Sequence, residues 1–293
     1  MKAINTNDFK VNGTFSIKDA PATINLKASD DTLKDALKDV SKALSKLQDK
    51  MYANNRYSVL VCLQGMDTSG KDSLIREVFK NFNVRGVNVY SFKKPSSAEL
   101  EHDYLWRHYI ALPEKGKFSV FNRSHYENVL VSRVHPEIIL GENLPGIAAV
   151  EDIPDNLWQQ RFEQINNFEK HIAQNGMIVL KFYLHLSKDE QKKRLLRRLD
   201  KPEHNWKFAP SDLVERELWD KYQEYYEDAI NNTSKPHAPW YVVPADDKKT
   251  ARYIVAKTIL DVLETQKDIE VPEVDEDVQE NIAMYRNQLN NEK

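Results

Sequence analysis

The chain has a single cysteine, Cys62, in 293 residues. It has no partner for an internal disulfide and lies in an apolar run, so it reads as a buried, inert thiol rather than a nucleophile. Without a disulfide framework the chain suits a reducing compartment, and a cytoplasmic location is expected. No apolar stretch approaches the roughly 20 residues that span a bilayer. The first residues, MKAINTNDFK, lack the apolar segment of a secretory signal. No membrane partner is expected. An excess of positive charge is missing too: the formal net charge is -3. Nothing therefore draws the whole surface to nucleic acid, and any polyanion site has to be local. No repeat and no low-complexity block interrupts the sequence. What is present is apolar side chain, 41% of residues, enough for one large domain with a sizeable core.

Residues 1–29 carry no sustained period and read as an extended arm. Ser29 or Asp30 can cap a helix over Asp31–Asn54, in which Leu33, Leu37, Val40, Leu44 and Met51 recur at helical spacing. Strands and helices then alternate. Strands are predicted at Tyr57–Leu63, Val87–Phe92, Phe118–Phe121, Met177–Leu186 and Trp240–Val243. Helices are predicted at Lys71–Asn81, Ala98–Ile110, through Val129–Val134, and at Asn156–Gln174 and Lys188–Leu199. Two more follow, one from a Ser211 cap to about Asn231 and one over Lys248–Thr265. Residues 135–155, with three prolines and two glycines, are a long excursion of the kind that forms a lid or an oligomer contact. Residues 266–293 form an acidic, polar tail that reads as a loosely attached helix. This alternation predicts an α/β fold, a parallel sheet with helices on both faces.

The stretch VLVCLQGMDTSGKDSLIREVF, residues 59–79, carries the first chemical signal. An apolar strand ends at Gly65, and Gly70-Lys71 follow at phosphate-loop spacing and open a helix. Glycines let the backbone wrap an anion, and the helix N-terminus presents free N–H groups and the positive end of its dipole. Lys71 would reach the terminal phosphates. The candidate phosphate-binding residues are Gly65, Met66, Thr68, Ser69, Gly70, Asp72 and Ser73. The usual metal-binding hydroxyl is replaced by Asp72, which could hold metal-bound water, or cap the helix and orient Lys71. Asp67 inside the loop would repel phosphate unless a cation lies between them, so it reads as a magnesium ligand.

A second cluster, KFSVFNRSHYENVLVSRV, spans residues 117–134. Asn122, Arg123, Ser124 and His125 lie at the C-terminal end of the third strand, where open α/β sheets bind ligands. Asn122 stands where an aspartate often holds metal, and it can still orient water. Glu127 and Asn128 add oxygens, and Arg123 and Arg133 suit phosphate forks. His125 reads as a core hydrogen-bonding residue rather than a proton carrier. Further cations gather on the same edge: Lys93, Lys94 and Arg107, the pair Arg76 and Lys80 on the phosphate-loop helix, and a basic helix with Arg194, Arg197 and Arg198. That helix is either a solvated face or a lid over phosphates. So many positive elements suggest more phosphate than one nucleotide carries. No stacking motif for nucleic acid is found.

These motifs resemble those of polyphosphate kinase family 2 in the P-loop kinase superfamily. The resemblance covers about residues 30–265. It rests on GMDTSGKD, VYSFKKPSSAELEHDYLWRHY, FNRSHYENVLVSRVH and HAPWYVVPADDKKTARYIVA. It implies a three-layer α/β/α fold with a five-stranded parallel sheet and helical lid segments at about 126–165 and 188–210. It implies reversible phosphoryl transfer between inorganic polyphosphate and adenine nucleotides with magnesium, in a homodimer or homotetramer. Asp67, Lys71, Asn122 and Arg123 then take the catalytic positions, with Asp67 and Asn122 as metal ligands. Glu127 and Arg133 fall on the lid-side helix that contacts the nucleotide, and Arg76, Lys80, Lys93, Lys94 and Arg107 on the polyphosphate channel. Many members read Asp-Arg-Ser-Trp-Tyr at the third strand. The Asn122-Arg123-Ser124-His125-Tyr126-Glu127 variant resembles the subgroup that phosphorylates both nucleoside mono- and diphosphates. That subgroup usually reads Glu-Asp where Glu127-Asn128 stands, so metal binding rests on Asp67, with Asn122 beside it. The competing readings are an ATP-dependent nucleoside monophosphate kinase and a non-catalytic polyanion binder on the same fold.

Overall fold

The computed structural model describes residues 1–292. Its centre is a parallel sheet of β1 (Ser58–Gln64), β2 (Val87–Ser91), β3 (Phe118–Asn122), β4 (Met177–His185) and β5 (Trp240–Pro244), in the order β2-β3-β1-β4-β5. The continuous apolar runs are explained by burial on both faces: every residue of β1, β3 and β5 is buried. The chain leaves β1 in one direction to reach β3 and β2, and in the other to reach β4 and β5. This places the switch point at the C-terminal end of β1, where such sheets open a crevice.

One layer is built from α1 (Asp30–Asn54), α2 (Lys71–Phe79) and a late helix over Lys248–Glu264 that packs along α1. Ser29 is the cap that starts α1, accepting the Thr32 N–H. Where one helix is expected over Ala98–Ile110 there are two short ones, α3 (Ser97–Leu100) and α4 (Trp106–Tyr109). Local side chains force the break. Ser96 and Glu99 close a capping box, and Asp103 accepts the Leu105 N–H, offering the backbone a turn instead of a helix.

After β3 a tight 3-10 turn over His125–Val129 leads into α5 (Val131–Val134) and α6 (Glu137–Leu140). The chain continues with α7 (Leu157–Gln174), the basic α8 (Lys188–Asp200), α9 (Pro202–Asn205), α10 (Ser211–Glu217) and α11 (Trp219–Thr233), and α5, α7 and α11 pack together in the other layer. The expected 211–231 helix therefore divides at Leu218. Ser211 is not its cap: it lies inside the first turn, and Pro210 occupies the cap position. The late helix Lys248–Glu264 is α12, and the tail ends in α13 (Glu276–Asn290), none of whose residues is buried. The N-terminal arm runs along the edge of the sheet. Val11 donates its N–H to Trp240 O at 2.9 Å, and the Phe15 and Ile17 N–H groups are taken by Asn231 and Glu227 of α11. Among the described residues no helix is long and apolar enough to cross a membrane.

Candidate active site

The loop after β1 is shaped by its glycines. A Cβ on Gly65 would stand 2.9 Å from Leu184 O of β4, and Gly70 has a φ of +103°, which disfavours other residues. Lys71 opens α2 and is buried, with its ammonium folded back onto the loop. Nζ donates to Gly65 O at 2.6 Å and Met66 O at 3.3 Å. Burial, then the Arg123 charge, bring its pKa down to about 8. Arg194 fastens the same loop to the rest of the sheet. Its guanidinium donates to Thr68 O and Ser69 O on one side and to Ala245 O and Asp246 O on the other.

Parallel pairing of Leu63 with Asn122 sets the end of β3 beside the loop. Asn122 Nδ2 donates to Asp72 Oδ1 at 2.6 Å. Asp72 therefore neither caps α2 nor bonds Lys71: no side chain caps that helix. Arg123 sits in the left-handed region with a φ of +62° and donates its N–H to Leu63 O. From there its guanidinium reaches Glu127 at 2.9 Å and Asp67 at 2.7 Å. Glu127, followed by Asp67, holds the Arg123 pKa well above its ordinary value despite burial, so it remains a fixed cation.

Two clefts, each about 730 Å³, meet at these residues. One lies between the turn after β3 and the α10–α11 pair, and carries Glu127, Asn128, Tyr104, Glu215 and Tyr222. The other lies between α2, α8 and the start of α12. In it lysines and arginines outnumber carboxylates nine to two. Asp67, Lys93 and Arg123 line both.

Residues 27–271 match the family described as polyphosphate kinase 2. The chain is 47% identical over 243 residues to the ADP-polyphosphate phosphotransferase of Rhodopseudomonas palustris, covering 83% of each sequence. It is 48% identical over 219 residues to the AMP/ADP-polyphosphate phosphotransferase of Meiothermus ruber, covering 75% of this chain and 76% of that one. It belongs to the polyphosphate kinase 2 family. The crystal structure of polyphosphate kinase 2 from Arthrobacter aurescens TC1 has the same fold, with a TM-score of 0.88 at 32% identity over 98% of this chain and 100% of that one.

Not every expected site residue of this polyphosphate kinase 2 chain reaches the clefts. Arg133 lines neither. It pairs with Asp228 of α11 and lies 4.2 Å over the Tyr225 ring. Lys80 lies outside as well, bonded to Glu77 on the surface of α2. Arg76 also contacts Glu77 but lines the cationic cleft. Arg107 is buried and braces the end of the second strand, donating to Lys93 O at 2.9 Å and lying over Phe92. Lys94 lines only the first cleft. Of the basic helix, Arg197 and Arg198 line the cationic cleft. Arg194 also lines it but spends its guanidinium on backbone carbonyls, so that side of the helix is an anchor and not a free cover. His125 is buried against Glu169, as its core reading requires.

Sequence reasoning missed Lys248, His204 and Lys207, all in the cationic cleft. Lys248 had a usable signal: it opens the helix after the last strand, at the ligand edge of the sheet. Burial and the nearby Arg194 bring its pKa down to about 8. Gln191 was also missed. It donates to Asp67 O at 3.1 Å and ties α8 to the loop.

Proposed function

We propose that the protein transfers the terminal phosphoryl group of inorganic polyphosphate to AMP and ADP, reversibly. The observation that carries this reading is the meeting of the two clefts at Asp67, Lys93 and Arg123. Polyphosphate would lie in the cationic cleft and the nucleotide in the other. With Arg194 set aside as an anchor, the eight other lysines and arginines exceed what the triphosphate of an ATP donor needs, which disfavours the nucleoside monophosphate kinase reading.

In the reaction an oxygen of the nucleotide's terminal phosphate attacks the terminal phosphorus of polyphosphate. A new phosphoanhydride bond forms, and the old one breaks with its electron pair going to the shortened polyphosphate. The attacking oxygen is already ionised, so no strong base is required; alignment and charge neutralisation are the demands on the protein. Lys71 would leave the loop carbonyls for the donor phosphates, and Arg123 would steady charge on the transferred group. Glu127 orients Arg123, while the loop N–H groups at the start of α2 bind phosphate oxygens.

The proposed metal is magnesium. No group of three or more His, Cys, Asp or Glu side chains is arranged to hold a metal among the described residues. This sparse donor set fits an ion that takes one or two protein oxygens and fills its octahedron with substrate phosphates and water. Asp67 and Asn122 would hold it, and when bound it supplies charge neutralisation between the two substrates. Use of AMP as well as ADP follows the name of the Meiothermus ruber relative, whereas the Rhodopseudomonas palustris name covers ADP alone. A homodimer or homotetramer is the assembly we carry forward, with sedimentation velocity as its test.

The functional test incubates the protein with magnesium, long-chain polyphosphate and either AMP alone or ADP alone, separating nucleotides by ion exchange. Conversion of AMP to ADP and then ATP supports both acceptors. Conversion of ADP alone removes the AMP assignment. No transfer in either tube, with activity from ATP to a monophosphate, overturns the polyphosphate reading.

A further inference from the structure

Beneath the turn that carries Arg123 and Glu127 lies a buried polar cluster that contacts neither cleft. Lys181 of β4 and Glu169 of α7 are both fully buried. Lys181 Nζ uses all three protons: Tyr126 Oη at 2.7 Å, Glu169 Oε2 at 2.6 Å and Thr233 O at 2.8 Å. Glu169 Oε1 accepts from two consecutive residues of the turn, the Tyr126 hydroxyl at 2.8 Å and His125 Nε2 at 3.1 Å. Burial alone would raise the Glu169 pKa, but Lys181 and His125 outweigh it and keep the carboxyl ionised. An ionised acceptor requires that His125 present Nε2–H. Its Nδ1 is buried with no hydrogen-bond partner among the described residues, so Glu169 is the ring's one side-chain anchor there.

A buried ion pair is a weak source of stability, because apolar residues of the same volume do as well. What Glu169 does supply is a fixed acceptor for two consecutive residues of the turn. Arg123 holds a left-handed backbone that an arginine rarely adopts, and such a conformation persists only where its surroundings over-determine it. The three residues that follow it are fixed side by side. Gln64 donates to Ser124 Oγ at 3.1 Å, and one oxygen of Glu169 takes both His125 and Tyr126.

We propose that Glu169, its charge balanced by Lys181, is a positioning residue for phosphoryl transfer. Acting through His125 and Tyr126, its acceptor oxygen sets where Arg123 and Glu127 stand at the junction of the clefts. This rests on the transfer reaction proposed above, so the test includes a readout that does not need turnover.

Three variants separate positioning from folding. E169Q/K181M removes both charges but leaves an acceptor for His125 and Tyr126. E169L/K181M removes the charges and the acceptor. Tyr126→Phe removes one hydroxyl while keeping the ring against Trp240. The expected result is kcat near wild type for E169Q/K181M and a fall on the order of 10- to 100-fold for E169L/K181M. Tyr126→Phe should fall between them, and the nucleotide KM should change by less than about threefold in all. Crystal structures should keep the left-handed Arg123 and its Asp67 pair in the first double variant and lose them in the second. A folded E169L/K181M protein with wild-type kcat, or with Arg123 unmoved, overturns the proposal. If that variant does not fold, a wild-type kcat for Tyr126→Phe overturns it and a reduced one supports it. If the wild-type protein itself transfers nothing, the function reading fails and the Arg123 geometry alone decides.

Discussion

Arg123 and Asp67 are joined by an ion pair of 2.7 Å at the point where the two clefts meet. The pair comes from opposite sides of the crevice, Asp67 from the loop after β1 and Arg123 from the end of β3. It answers the question that a carboxylate inside a phosphate loop raises. In this structure Asp67 is paired with Arg123, and the function proposed above has both groups face the substrates.

Asp67→Asn is expected to lower kcat on the order of 10²- to 10³-fold, the usual scale for losing one preorganised electrostatic group. The fold should survive. The pair is about one-third exposed, so its loss costs no more than about 1 kcal/mol. Turnover across a magnesium titration, alongside a thermal melt, checks both. Near-wild-type turnover at saturating magnesium contradicts the role given to Asp67.

Lys71 gives a pH dependence of defined sign. Its folded pKa is about 8 against an ordinary 10.5, so between those values the unfolded chain binds more protons and stability rises with pH. Below pH 8 the folded protein bears the whole cost of a buried ammonium, on the order of 3 kcal/mol. Lys71→Met is therefore expected to raise the melting temperature at pH 7, with the gain vanishing near pH 10.5, while abolishing transfer. Polyphosphate favours the charged form, so its affinity should fall as pH rises through about 8. Lys248, with a pKa also brought down to about 8, adds to that fall. Calorimetric titration with polyphosphate from pH 7 to 9.5 measures it.

Arg194→Ala should act on the fold. Four carbonyls from two segments lose their donor, and Glu190 loses its partner. A loss of about 3 kcal/mol in denaturant unfolding is expected, the scale for breaking a buried charged network. An unchanged unfolding midpoint contradicts the anchoring role.

Arg133→Gln should leave the KM for nucleotide within about twofold of wild type while lowering stability by about 1–2 kcal/mol through the lost Asp228 pair and Tyr225 contact. A large rise in KM without loss of stability would return Arg133 to the nucleotide site.

The strands were legible because burial on both faces requires uninterrupted apolar runs, as in SVLVCLQ of β1. The loop was legible because phosphate binding needs glycines and a lysine at fixed spacing along one segment. The less legible parts depend on partners far away in sequence. Arg133 and Arg123 look alike in FNRSHYENVLVSRV, and only Asp228, 95 residues on, holds one of them away from the cleft linings. Arg194, Arg197 and Arg198 form one basic run, yet the packing of α8 on the loop turns the first into an anchor. The division between α3 and α4 was encoded locally, in Ser96, Glu99 and Asp103, but helical periodicity across residues 98–110 concealed it.

The central claim is that donor and acceptor occupy separate clefts that share the Asp67–Arg123 junction. Its most direct test is a charge change confined to one cleft. Arg197 is exposed and Lys248 half-buried, both line only the cationic cleft, and neither takes part in the Asp67–Arg123 pair. In R197E/K248M, steady-state kinetics of ATP formation should show the polyphosphate KM raised at least about tenfold, the scale of one lost charge-assisted contact, with the ADP KM within about twofold of wild type. Equal rises in both constants, or no change in the polyphosphate KM, would contradict the account.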